Sequence, residues 1–179
     1  MSGALKLLST QTASNSASLS FTSGIDSTYN EYVFYFVDIN PATDTQKLTF
    51  QTSTDGGSSY GVTVLSTAFT PRHNEDGTSG EVIYDGGNSV ANTTSFNPLT
   101  GTIGNGADEC AAGELHLYSP SSTTRVKHWV STFNLYEASN TAMGQYHSGF
   151  FNTVSAINAI QFKMGSGNFD GNIYMFGVS

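Results

Sequence analysis

Apolar and polar residues alternate along most of this chain with the period of two that is typical of half-buried β-strands. In the segment Ile157–Met164, apolar side chains alternate with Gln161 and Lys163. A glycine-rich turn at Gly165–Asn168 follows, and the segment Asn172–Val178 is then apolar on both faces. We therefore expect a closing hairpin whose last strand lies inside a sheet that is covered on both sides.

The same alternation predicts nine further strands, at Ala4–Ser9, Ala17–Ser23, Glu31–Ile39, Lys47–Thr54, Tyr60–Phe69, Glu81–Tyr84, Glu114–Ser119, Arg125–Glu137 and Met143–Phe151. Leu19 and Phe21 should share one face of the second strand, and Trp129, Phe133 and Leu135 one face of the eighth.

Turn residues predict how some of these strands connect. Lys47–Thr54 should pair with the most apolar strand, Glu31–Ile39, and the loop Asp55–Ser59 should return the chain as a hairpin into Tyr60–Phe69. A second hairpin is expected around Pro120–Thr123, and Met143–Phe151 precedes the closing hairpin.

The predicted strands number about ten, and the chain contains no fixed-period repeat and no linker. We therefore predict one domain over residues 1–179. The predicted fold is all-β, an antiparallel β-sandwich of jelly-roll type, because long cross-connections fit the excursion Thr70–Ser95 better than a meander does. Apart from Glu81–Tyr84, that excursion is expected to be irregular. Such long loops often carry function or interfaces.

Composition narrows the function classes. Charged residues make up 11% of the chain, against roughly 25% in an average soluble domain. The net charge is −8, and the six basic residues are scattered, which argues against nucleic-acid binding. No apolar run approaches the roughly 20 residues of a membrane helix, and the N-terminus lacks a signal-peptide pattern. We expect synthesis in a cytoplasm and no membrane span.

Candidate chemistry is sparse. Ser53-x-Asp55-x-Gly57 followed by Tyr60 matches the Asp-box, a turn in which the Asp caps backbone N–H groups and glycine adopts positive φ. No His-x-His pair, catalytic triad spacing or phosphate-binding loop is present in the sequence. Cys110 is expected to be a small buried hydrophobe rather than a nucleophile.

Two sets of titratable residues are candidates for a metal site. His116 and His128 lie on adjacent predicted strands and could face each other across the second hairpin. Acidic residues cluster loosely in the loops at Glu75-Asp76, Asp85 and Asp108-Glu109, where a solvated acidic rim is favoured over a Ca²⁺ site. We therefore predict no catalytic residues, no metal and no cofactor.

Four segments carry a resemblance to a known family: the apolar opening Leu5–Leu8, the strand Tyr32–Asn40, the "STDGG" turn Ser53–Gly57 and the ending Ile157–Gly177, with its strand, glycine-rich turn and strand. Together they resemble small jelly-roll structural proteins of tailed bacteriophages. The ending is similar to those of capsid decoration, head-fibre and tail-fibre proteins. The resemblance implies a non-enzymatic virion protein that binds the shell or a host surface.

The expected function is that of a capsid decoration (cement) protein, located in the virion and assembled as a homo-oligomer, namely a trimer, on the major capsid protein. The predicted interface residues lie in the excursion: Arg72, His73, Asn74, Glu75 and Asp76. Two alternatives stay open. One is a tail-fibre module that binds host glycans through Tyr118, Tyr136 and Tyr146. The other is a carbohydrate-binding module of a polysaccharide-active enzyme.

Overall fold

Two antiparallel β-sheets form the fold in the computed structural model, which describes residues 3–179. The strands are β1 Leu5–Ser16, β2 Leu19–Phe21, β3 Glu31–Pro41, β4 Leu48–Ser53, β5 Val64–Asn74, β6 Gly80–Tyr84, β7 Asn97–Pro98, β8 Ala111–Tyr118, β9 Lys127–Glu137, β10 Thr141–Phe151, β11 Ala159–Met164 and β12 Phe169–Val178. Within residues 3–179 there is no helix long and apolar enough to cross a membrane. The predicted all-β fold class is confirmed.

The strand order is that of a jelly roll with one sheet extended. The large sheet runs β1-β12-β3-β8-β9-β10-β5-β6, and the small sheet runs β2-β11-β4-β7. The runs β1-β12-β3-β8 and β2-β11-β4-β7 follow the same rule. Each places a strand from near the start of the chain beside one from near its end, then an early strand and then one from the middle. This nested order is that of a jelly roll. Strands β5–β6 and β9–β10 are insertions that widen the large sheet beyond β8.

Aromatic side chains fill the space between the two sheets. Phe162 on β11 lies 5.5 Å from Phe34 and 5.0 Å from Phe36, between ring centroids, with both rings on β3 of the opposite sheet. Trp129 on β9 reaches Phe50 on β4 at 4.9 Å. The predicted shared faces are confirmed, since Leu19, Phe21, Trp129, Phe133 and Leu135 are all buried.

The predicted closing hairpin is wrong in its pairing. β11 pairs with β2 and β4 of the small sheet, whereas β12 pairs with β1 and β3 of the large sheet. The turn at Gly165–Asn168 therefore carries the chain across the core from one sheet to the other. The expectation that the last strand lies inside a sheet is confirmed, because β12 pairs with both β1 and β3. The expected cover on both faces is wrong, since the outer-face side chains Tyr174, Phe176 and Val178 are only partly buried.

The predicted pairing of Lys47–Thr54 with Glu31–Ile39 is also wrong, because β4 and β3 lie in opposite sheets. Nor does Asp55–Ser59 close a hairpin, since β5 lies in the large sheet. The second hairpin is confirmed as β8 paired with β9. The excursion is shorter than expected, because β5 continues to Asn74 and pairs with both β10 and β6.

The Asp-box chemistry is confirmed even though the turn joins two sheets. Ser53 Oγ accepts hydrogen bonds from the backbone N–H groups of Asp55 (3.1 Å) and Gly57 (3.0 Å). The Asp55 carboxylate accepts from the N–H of Ser59 at 3.0 Å, and Gly57 has φ of 88°. Hydrogen bonds to its carboxylate lower the pKa of Asp55 to about 2, and the hydrogen bond from the Ser53 side chain has the largest effect.

Gly171 occupies a bulge in β12 that a side chain cannot enter without strain. Its φ is 132°, and the register of β12 against β3 shifts between Asp170 and Asn172. A Cβ atom at this position would lie 2.7 Å from the backbone oxygen of Asp38.

We expect Gly171→Val to lower the free energy of unfolding by roughly 1–3 kcal/mol, because it combines a disfavoured backbone conformation with a backbone clash. Gly61→Val is the matched control, since Gly61 is exposed and its Cβ would meet nothing closer than 3.9 Å. Thermal denaturation of the two variants makes the comparison. Equal melting temperatures would show that Gly171 sits in ordinary strand geometry.

Candidate functional site

The acidic candidates do not converge. Among residues 3–179 no group of three or more His, Cys, Asp and Glu side chains is placed to hold a metal ion. Asp76 accepts from the N–H of Thr78 at 2.9 Å within its own turn. Glu109 accepts from the N–H of Gly106 at 2.5 Å. Both carboxylates therefore stabilise local loops.

The two strand histidines do not face each other, so that expectation is wrong. His116 lies opposite Val130 in the β8–β9 register, and its Nδ1 lies 2.6 Å from Glu31 Oε1 on β3. His128 packs against Phe150 on β10, with 5.9 Å between ring centroids. The register of β8 against β9 is shifted by two residues from the one that would set His116 opposite His128.

Cys110 is partly buried beside Asp38. Burial raises the pKa of its thiol, and the negative charge of Asp38 raises it further. Since the thiolate is the nucleophilic form, this environment opposes nucleophilic chemistry at neutral pH.

A buried polar network lies on the inner face of the extended part of the large sheet. The Asp85 carboxylate accepts hydrogen bonds from Thr70 Oγ1 at 2.9 Å and from Asn88 Nδ2 at 2.7 Å. Gln145 Nε2 donates to Thr70 Oγ1 at 2.7 Å. Burial raises the pKa of Asp85, but the hydrogen bonds from Asn88, Thr70 and Gln145 outweigh it and leave the pKa below its usual value.

His147 is part of this network and is held neutral. Its Nε2 donates to Gln145 Oε1 at 3.0 Å. Its Nδ1 is buried without a hydrogen-bond partner in residues 3–179, as is the Oγ of Ser131 directly across the strand pair. Burial lowers the pKa of His147 to about 4. The network closes the inner face and holds the segment after β6 against the sheet.

The outer face of the large sheet carries a continuous row of side chains that crosses all eight strands. Register pairs connect Tyr84, Phe69, Tyr146, Thr132, Glu114, Tyr35, Tyr174 and Thr10 in that order. Cross-strand neighbours project from the same face of a sheet. Five of the eight are aromatic, and neither sheet covers them.

One end of this row forms the outer patch, which we define as Phe69, Val82, Tyr84, Val130 and Tyr146. Val82 and Tyr84 are each 71% exposed, and Phe69 is 49% exposed. The rings of Phe69 and Tyr146 stack at 4.8 Å with 4° between their planes. A depression of about 320 Å³ is lined by four of the five patch residues.

The middle of the row forms a shallow groove of about 440 Å³ between Tyr35 and Tyr146. Thr132, Glu114 and Asn134 line it between these two aromatic walls. The three intervening strand spacings of about 4.8 Å separate the two tyrosines by about 14 Å. The groove thus combines ring faces with polar side chains.

The predicted interface residues lie at the tip of the β5–β6 hairpin, beside the outer patch. Arg72 pairs with Glu81 on β6, and Asn74 Oδ1 accepts from Thr141 at 3.2 Å. His73, Glu75 and Asp76 are exposed. Their role as an interface stays a prediction.

The three candidate tyrosines lie on strands rather than on loops. Tyr118, Tyr136 and Tyr146 belong to β8, β9 and β10, within segments that the alternation predicted as strands. The sequence reasoning missed Phe69 and Val82. The signal for Phe69 was present: Val64, Ser66, Ala68 and Thr70 take the buried positions of β5, which turns Phe69 outward.

Comparisons with known proteins give no family. No protein-family model matches the chain, and no curated protein matches it. A crystal structure of a protein of unknown function from Bacteroides ovatus is similar over 58% of this chain, with 6% identity and a TM-score of 0.33. The match covers 45% of that protein, so this chain spans less than half of its length.

The neutral state of His147 makes stability depend on pH. Its folded pKa of about 4 lies below the ordinary value of 6.5, so the unfolded chain binds more protons between these two pH values. The free energy of unfolding should therefore fall, on the order of 3 kcal/mol from this group, as pH falls from 6.5 to 4.

We expect His147→Gln to flatten the dependence of melting temperature on pH in this window. His73→Gln is the control, because His73 is exposed. Melting curves at several pH values between 6.5 and 4 make the measurement. An unchanged slope in His147→Gln would contradict the buried neutral imidazole.

Proposed function

We propose that this protein is a non-enzymatic virion structural protein, a capsid decoration protein that seats on the major capsid protein through the outer face of its large sheet. It acts by burying surface and forming hydrogen bonds. In this proposal several copies, arranged as a homotrimer, each contact the shell, so that multivalency strengthens attachment. Binding only the assembled shell stabilises that shell by mass action.

The outer patch is the observation that carries this proposal. Large contiguous apolar patches on a protein surface mark interaction sites, whereas single exposed apolar residues need no explanation. Phe69, Tyr84 and Tyr146 adjoin one another in register across three strands. Aromatic side chains are enriched at the centres of protein interfaces, where they account for much of the binding energy.

The surroundings of the patch suit contact with a protein. Thr67, Thr132 and Ser148 border it, and these neutral side chains can form hydrogen bonds without the cost of burying a charge. The salt bridge between Arg72 and Glu81 lies on the other face of the β5–β6 hairpin. A polar rim around an apolar centre is the usual anatomy of an interface.

The double variant Phe69→Ser/Tyr84→Ser should weaken attachment to purified virions at least about tenfold, since truncation of an aromatic hot spot at the centre of an interface costs about 2 kcal/mol or more. Val154→Ser is the matched control, because Val154 is 56% exposed but lies outside the patch. Co-sedimentation with virions and a melting curve are measured for each. Undiminished attachment of the double variant with the fold intact would exclude the patch as the contact.

The groove between Tyr35 and Tyr146 favours a second candidate function, a tail-fibre or carbohydrate-binding module. Thr132 and both tyrosines line the groove, and their hydroxyls can donate hydrogen bonds to a ligand and accept them from it. The Asn134 amide nitrogen donates to Met143 O, which leaves its oxygen free to accept. A sugar ring presents an apolar face for stacking and hydroxyls for such groups.

Under this second function, Tyr35→Ala should abolish binding on an array of bacterial surface polysaccharides, whereas Tyr35→Phe, which keeps the ring face, should retain part of it. Virion attachment through the outer patch should not change in either variant. An array on which the unaltered protein binds nothing would dismiss the glycan function and leave the shell proposal intact.

A further inference from the structure

The large sheet ends in two open edges, β1 and β6. In the part of the chain that the structure describes, each has only one neighbouring strand in the sheet, β12 for β1 and β5 for β6. An open edge offers unpaired backbone N–H and C=O groups to another strand, and proteins commonly protect such edges with proline, charge or bulges. In β6 the sequence Gly-Glu-Val-Ile-Tyr contains no proline and one charge.

The hydrogen-bond alternation shows which backbone groups of β6 are free. Asp85 N–H donates to Ala68 O at 3.0 Å, and Asn74 N–H donates to Ser79 O at 2.9 Å. In an antiparallel pair, bonded positions alternate with non-bonded ones. The backbone groups of Val82 and Tyr84 therefore point away from β5, toward the open edge.

The start of β1 shows the same arrangement. Ser179 N–H donates to Ala4 O at 3.2 Å, so Lys6 takes the next bonded position and the backbone groups of Leu5 and Leu7 point outward from the sheet edge. A register shift after Leu7 ends this regular segment. The open part of the edge is therefore short and well defined.

Both edges carry exposed apolar side chains on the outer face of the sheet. Leu5 and Leu7 are 47% and 53% exposed, and they share the outer face with Phe176 and Val178, their partners on β12. Val82 and Tyr84 project from that same outer face at the opposite edge. Both edges thus present a pair of exposed apolar side chains two residues apart.

The charges on the two edges are complementary. Lys6 lies opposite the buried Gly177 and therefore projects to the inner side of the sheet. Glu81 lies opposite Arg72, whose own neighbour on β10 is the buried Met143, so Glu81 also projects to the inner side. One edge carries a positive charge and the other a negative charge on the same side.

We propose that β6 of one copy pairs antiparallel with β1 of a second copy, so that the large sheet continues from chain to chain. Val82 lies opposite Leu7 and Tyr84 opposite Leu5, which sets the free backbone groups of both strands against each other. In this register Lys6 is a diagonal neighbour of Glu81, within reach of a long side chain.

Strand direction permits this arrangement. Every neighbouring pair in the eight-stranded sheet is antiparallel, so β1 and β6 run in opposite directions. Two copies laid side by side therefore bring β6 and β1 together as an antiparallel pair. The contact joins two different surfaces, so it is head-to-tail and closes into a ring when the rotation between copies permits.

This self-association does not depend on the virion proposal, and it extends the outer patch. Leu5 and Leu7 of one copy come to lie beside Val82 and Tyr84 of the next. The apolar outer face therefore continues across this β6–β1 junction, which we call the seam. A ring of copies would present these outer faces on one side.

The first test is Val82→Pro, measured by sedimentation equilibrium. Proline removes the outward N–H of β6 without removing a hydrogen bond to β5, and edge positions tolerate proline. The unaltered chain should form oligomers, and in the variant the dissociation constant should rise at least about tenfold. A melting curve verifies that the variant is folded. An unaltered chain that is monomeric up to its solubility limit would overturn the proposal.

Charge reversal provides a test that leaves the backbone unchanged. Lys6→Glu and Glu81→Lys should each weaken association, because each places like charges at the seam. An equimolar mixture of the two variants should associate again, since every seam between unlike copies regains opposite charges. Val154→Ser should associate like the unaltered chain.

Two outcomes would contradict the proposed seam. Association that is lost with Val82→Pro but unaffected by Lys6→Glu would indicate a symmetric β6–β6 contact. A mixture that associates no better than its separate components would show that Lys6 and Glu81 do not meet.

Discussion

The packing of Phe162 against phenylalanines from both sheets holds the two layers of this protein together. Its ring lies 5.0 to 6.4 Å from the rings of Phe21, Phe34, Phe36 and Phe50. Such aromatic pairs contribute about 0.5–1.5 kcal/mol each beyond the area they bury. Because β11 lies between β2 and β4, this one side chain connects three strands of the sandwich to β3 of the large sheet.

The large sheet has eight strands, whereas the small sheet that covers it has four. The residues that stabilise the fold therefore lie on the inner face of the large sheet, and the residues available for contact with a partner lie on its outer face. Beyond β8, Trp129 and Phe151 still pack on Phe50 of the small sheet, but part of the inner face of β5 and β10 is closed by a polar network around Asp85, Gln145 and His147. The outer face of the same strands carries Phe69 and Tyr84, which nothing within residues 3–179 covers. Substitutions on the outer face therefore affect binding more than folding, and substitutions in the network do the reverse.

The sequence predicted strands well and their partners poorly. Period-two alternation identified Glu31–Ile39 as a strand and the shared buried face of Trp129 and Phe133, because burial on one face leaves a local signal. It could not predict which sheet holds β4 or β12, since a glycine-rich turn looks the same in a hairpin and in a crossing between sheets. The outer patch was not predicted for a related reason. Its residues are far apart in the sequence and become neighbours only through the register of the paired strands.

Hydroxyl-radical footprinting of the protein free and attached to virions tests most directly the claim that the outer face of the large sheet is the binding surface. Attachment should reduce the oxidation of Phe69, Tyr84 and Tyr146, while Val154 should react equally in both states. Protection confined to Val154, or to the exposed hairpin tip at His73, with the outer patch still reactive, would contradict the account.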